Sequence, residues 1–99
     1  GSAFGMQAGF APEQVQVFGL YHTYRRISDE EDRKPHDFHF CAQCGSNVFY
    51  TEPDEPDLIV VSVGSFADPS FPPPTESGYD SRRHRWLEVP ATIERPDGQ

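Results

Sequence analysis

In SAFGMQAGF, bulky side chains recur on alternate positions at Phe4, Met6 and Phe10, with Ala8 between them. A period of two predicts a half-buried strand. VQVFGLYHTYRRI continues the pattern: Val15 and Val17 alternate with glutamine, Gly19 interrupts, and Tyr21 to Ile27 is rich in aromatic and branched residues, so two strands with a bend are expected. SDEEDRKPHD, Ser28 to Asp37, has no apolar residue except Pro35 and reads as a solvated hairpin tip. Short strands follow at Phe38 to Phe40 and Asn47 to Thr51, and EPDEP forms a second acidic loop. LIVVSVGSF is a continuous apolar run suited to a central strand covered on both faces. ADPSFPPPTESG is rich in proline and predicts an irregular, stiff surface crossing. In the polar C-terminal stretch Trp86, followed by Leu87, is the largest apolar group and is expected to be a core anchor.

A length of 99 residues suits one domain, close to the size at which a metal staple is common. Eight basic against sixteen acidic side chains give a formal charge of -8, which works against binding a phosphate backbone directly. No apolar run reaches the roughly 20 residues of a membrane helix, and GSAFGMQAGF lacks the order of a signal peptide. The expectation is a soluble, cytoplasmic protein. Two cysteines in one C-x-x-C turn are too few and too close for a disulfide framework and point to metal or redox chemistry.

That turn lies in FHFCAQCGSNVFY, between two strand-like runs. Thiolates separated by two residues, as Cys41 and Cys44 are, can both reach one metal, and a glycine after the second, Gly45, permits the tight turn that aims backbone N–H groups at the sulfurs. Metal binding is the preferred reading. An ordinary pair of reduced cysteines in a β-turn comes second, and a redox dithiol third, because such pairs usually open a helix after a strand. A closed zinc site takes four ligands, and the chain has no other cysteine. His22, His36, His39 and His84 are available, and His39 lies two residues before Cys41; strand geometry nevertheless makes it a cross-strand partner before a ligand. Ser65 with His84 and an aspartate has no nucleophile elbow around it and is discounted as a triad. RRHRW, Arg82 to Trp86, is the one dense basic patch, read first as counter-charge to the acidic loops and second as a site for an acidic small molecule.

The order GSAFGMQAGF, FHFCAQCGSNVFY, VGSFADPSFPPPT, SRRHRWLEVP resembles the glutathione-dependent formaldehyde-activating enzyme (Gfa) family, which includes centromere protein V, over essentially the whole chain. The resemblance implies a mostly β fold, a β-tent of small antiparallel sheets with a zinc-knuckle hairpin, as a single domain over residues 1–99. It implies a structural zinc held by a C-x-C and by the C-x-x-C that corresponds to Cys41 and Cys44, and a catalytic zinc held by a C-x-C-x-x-C just before the segment matching GSAF. Neither of the other motifs is in this sequence, so the missing ligands are expected ahead of Gly1 and the chain is expected to be truncated there; catalytic residues cannot be assigned to it.

By the same resemblance, the function is carbon–sulfur lyase chemistry on glutathione–aldehyde adducts of the S-hydroxymethylglutathione type. The chain as it stands is expected to be inactive. The rival reading is a zinc-stabilised binding module without catalysis. For the half-site, metal-free or weakly bound zinc ranks ahead of one ion shared by two chains in a homodimer, since sharing demands that both turns point outward and the resemblance implies that this turn faces a strand ahead of Gly1.

Overall fold

The computed structural model describes residues 4–95. Gly1 and Ser2, which open the GSAF match, and the end of the polar tail lie outside them. Five strands, β1 (Gln7–Phe10), β2 (Tyr21–Ile27), β3 (Pro35–Cys41), β4 (Asn47–Glu52) and β5 (Glu55–Ser62), form one open antiparallel sheet in the order β1-β5-β4-β3-β2. Apart from three short 3-10 turns, at Pro12–Gln14, Val63–Phe66 and Asp80–Arg82, the described residues form no helix. None is long and apolar enough to cross a membrane. The mostly β expectation therefore holds.

The chain divides into two compact units. Gln7–Ala67 holds the whole sheet. The second unit is built by the chain from Asp68 onward with the residues ahead of Gln7.

Within the sheet unit, the first part of the apolar run expected to be central, Leu58 to Ser62, lies in β5, an interior strand between β1 and β4, while Val63–Phe66 leaves it as a 3-10 turn; Val60 is 7% exposed, the one buried apolar residue among those described. Tyr24, Phe38, Tyr50 and Val60 lie in register across four strands on one face. Thr23, His39, Phe49, Val61 and Ala8 make the corresponding rung on the other. The expected strand at Val15 and Val17 does not form. That stretch lines an apolar groove of about 410 Å³ with Phe10, Val48, Phe49 and Phe66; its alternating valines face a sheet surface instead of pairing with a strand. The hairpin tip is also shorter than expected, because β3 already starts at Pro35 and takes in His36 and Asp37.

The meander segregates charge. Successive hairpin turns alternate between the two ends of a sheet, so the acidic β2–β3 tip and the β4–β5 turn share one end. Lys34 reaches Glu55 at 4.0 Å and His36 reaches Glu52 at 3.1 Å across it. The β3–β4 turn, the entry to β2 and the exit from β5 occupy the opposite end. Within the sheet unit, residues 15–21, 41–47 and 62–67, at that end, include no Asp, Glu, Lys or Arg.

In the second unit, Glu76 and Glu94 form an isolated parallel bridge, supported by hydrogen bonds from Ser77 N–H to Glu94 C=O and from Glu94 N–H to Thr75 C=O. The proline-rich segment is irregular, as expected. Trp86 is not the anchor its sequence context predicts: it is 70% exposed and stacked on His84 at 5.7 Å. An isolated aromatic in a polar stretch does not by itself bury, because burial depends on which surface the fold brings against it.

Candidate metal centre

Cys41 ends β3 and Cys44 lies in the turn before β4, as the alternation on both sides of C-A-Q-C dictates. The turn is closed twice by its own backbone: Gly45 N–H donates to Cys41 C=O and Cys41 N–H donates to Ser46 C=O, both at 2.9 Å. Gly45 has φ 79, the left-handed region that L side chains seldom enter, so glycine after the second cysteine is what allows the chain to double back. The fold ties the turn to its neighbour through a bond from Ala42 N–H to Leu20 C=O at 3.3 Å.

Each sulfur has a hydrogen-bond partner. Gln43 N–H points at the Cys41 sulfur at 3.4 Å. The Cys44 thiol donates to the Ser46 hydroxyl oxygen at 3.4 Å. Ser46, first through its hydroxyl and then its backbone N–H, holds the Cys44 thiol below the usual thiol range, with the Cys41 thiol adding to the effect. Both thiols are unbridged; Cys44 is exposed and Cys41 partly so. An amide donor aimed at the Cys41 sulfur and an accessible thiol pair fit half of a tetrahedral thiolate site.

His39 does not complete it. Its Nδ1 is 2.9 Å from Thr23 Oγ1 and its Nε2 is 2.8 Å from Thr51 Oγ1, while its ring stacks on Phe49 at 4.5 Å and meets Tyr21 edge-on at 5.3 Å. With both ring nitrogens engaged across the sheet, it is the cross-strand partner expected. Burial pushes its pKa down, and Asp37 opposes that in part. Asp37 itself is gripped in fork geometry by Arg25, at 2.7 Å and 3.0 Å, and its carboxyl is held below the usual range by that hydrogen bond. His36 lies at the acidic end of β3, beside Glu52 and the Lys34 carbonyl. His22 packs near Phe40, on the face opposite His39. Among the described residues no three His, Cys, Asp or Glu side chains converge as a metal-binding group.

Ser46 and Leu20 were not singled out from the sequence. Ser46 follows directly from the C-G-S order. Leu20 had no signal, being distant in the chain from the turn it supports.

No curated protein and no solved structure matches the chain. The family model described as glutathione-dependent formaldehyde-activating enzyme matches residues 1–85, most of the chain and all of the knuckle, and the chain therefore belongs to that family.

Proposed function

We propose that this chain is the scaffold of a zinc-dependent carbon–sulfur lyase acting on glutathione–aldehyde adducts, with Cys41 and Cys44 as zinc ligands. The family match over residues 1–85 carries this reading. The knuckle supports its metal half: two thiols on one turn, with Gln43 N–H and the Ser46 hydroxyl placed to stabilise thiolate sulfur. Zinc, when bound, keeps sulfur deprotonated near neutral pH and acts as a Lewis acid. Cys41 and Cys44 would hold the ion, with the Gly45 turn setting the direction of the two sulfurs and the Ala42 to Leu20 hydrogen bond anchoring that turn. A cytoplasmic setting suits this role, since metal-binding thiols must stay reduced.

The reading is tested by metal analysis of the purified, reduced chain beside an assay of formaldehyde with glutathione. Zinc should bind and be lost on Cys41→Ala or Cys44→Ala. Turnover by this chain alone should stay at background, because its two cysteines are both committed to the knuckle. Zinc uptake indifferent to both substitutions overturns the ligand assignment. Turnover that follows the chain through purification overturns its role as scaffold alone.

A further inference from the structure

We propose that Cys41 and Cys44 form a redox switch: hydrogen peroxide joins them in a disulfide within their one turn, which withdraws both sulfurs from the zinc shell, and a thiol of the glutathione class restores them. The proposal rests on the reading of the knuckle as a zinc ligand pair and adds a regulation of that site. Both sulfurs belong to a single turn of the sheet unit, so their pairing is the same whichever residues supply the rest of the shell.

The turn brings the sulfurs together. The bond from Gly45 N–H to Cys41 C=O closes residues 41–45 into one helix-like turn, in which side chains three residues apart are neighbours, with Cβ atoms about 5–6 Å apart. A disulfide asks for Cβ atoms about 4 Å apart, so an adjustment of about 1–2 Å inside the turn is enough. Both thiols are unbridged and lie close enough to interact. The bonds that fix the turn, from Cys41 N–H to Ser46 C=O and from Ala42 N–H to Leu20 C=O, run between backbone atoms and survive when the sulfurs pair.

Cys44 is the more exposed thiol and reacts first. Its thiolate sulfur attacks one peroxide oxygen: an S–O bond forms, the O–O bond breaks, and the departing hydroxide takes a proton from solvent and leaves as water. The Cys41 sulfur, favoured as a thiolate by the Gln43 N–H at 3.4 Å, then attacks the Cys44 sulfur. The S–S bond forms, the S–O bond breaks, and a second hydroxide leaves as water with a second proton. The two thiolates lose two electrons and the peroxide gains them. A disulfide sulfur has no negative charge to give a metal, so half of a four-ligand shell is lost at once.

Reversal follows from the size of the ring. The disulfide closes only residues 41–44 and takes little entropy from the unfolded chain, which leaves it weakly stabilised and open to thiol exchange. One glutathione thiolate attacks a sulfur of the pair, a second removes the first as glutathione disulfide, and both cysteines return to thiolates. The thiol half of the adduct thereby keeps the scaffold able to hold its metal.

The reduced, metal-free chain is treated with stoichiometric hydrogen peroxide and analysed by mass spectrometry after alkylation, beside zinc titrations of its reduced and oxidised forms. The switch predicts a monomer lighter by two hydrogens, with neither cysteine alkylated and both recovered by reduced glutathione. Zinc uptake by the oxidised form should be weaker by about a hundredfold or more, and zinc bound to the reduced form should be released in step with the disulfide. Cys41→Ser, which lacks the second sulfur, should stop at a Cys44 sulfenic acid that dimedone captures. Sulfinic acid or disulfide-linked dimers as the main product, from a chain that binds zinc when reduced, overturn the switch and leave the zinc reading in place. An intrachain disulfide in a chain that takes up no zinc when reduced overturns the zinc reading and, with it, the release of an ion. Equal zinc uptake by the two forms overturns the switch.

Discussion

The backbone N–H of Gln43 and the sulfur of Cys41 lie 3.4 Å apart, an arrangement that the doubled-back turn makes available before any metal arrives. Gly45, at φ 79, holds that turn. A Cβ at Gly45 would meet nothing within 4 Å, so a substitution there acts through backbone conformation and not through a clash. Gly45→Ala should cost about 1 kcal/mol in urea unfolding of the metal-free chain and weaken zinc binding, whereas Gly45→Asn, whose side chain tolerates this region better, should cost less. Equal midpoints for all three proteins would show that the turn does not need the left-handed residue.

Ser46 is the largest cause of the lowered Cys44 pKa. Ser46→Ala should therefore move the midpoint of Cys44 alkylation to higher pH, read by mass spectrometry over a pH series with Cys41 replaced by serine in both backgrounds. A midpoint that stays in place would remove the hydroxyl from this role.

His39 titrates inside the sheet, and its burial favours the neutral ring. Its folded pKa is below its unfolded value near 6.5, so the unfolded chain takes up the proton first as pH falls. Its contribution to stability is complete above about pH 6.5 and declines as pH drops from there through the folded pKa. His39→Gln, which keeps an amide donor and acceptor near Thr23 and Thr51 but does not titrate, should flatten this part of the stability profile. A profile of the same slope in both proteins would assign the pH dependence elsewhere.

Val60 and Trp86 should rank opposite to their sizes. Val60→Ala removes two methyl groups from the buried position of β5 and should cost about 2 kcal/mol. Trp86, at 70% exposure, should give a Trp86→Ala variant within about 0.5 kcal/mol of the parent. Chemical denaturation midpoints compare them directly; a larger loss at Trp86 would restore it as an anchor.

Much of the sheet was legible along the chain because strands advertise themselves locally. Alternation at Phe38 to Phe40 and Asn47 to Thr51, the apolar run of β5 and the C-x-x-C-G turn are all short-range signals, and a hairpin needs little else to place Cys41 and Cys44 on one turn. Val15 and Val17 carry the same alternation without forming a strand: they line the groove beside Phe10, Phe49 and Phe66, a choice of side-chain packing over backbone pairing that period alone does not reveal. Nothing local says that the two acidic segments share one end of the sheet, that Leu20 is bonded to the knuckle, or that both nitrogens of His39 are taken by threonines on two other strands. Those facts come from strand order and register, which join residues far apart in sequence. The sequence by itself therefore determined most of the strands, the thiol pair and the family, while only the tertiary structure decided the polarity of the sheet and the uncharged end of the sheet unit on which the pair stands, because charge at a point in space is a sum over strands that the chain brings together only on folding.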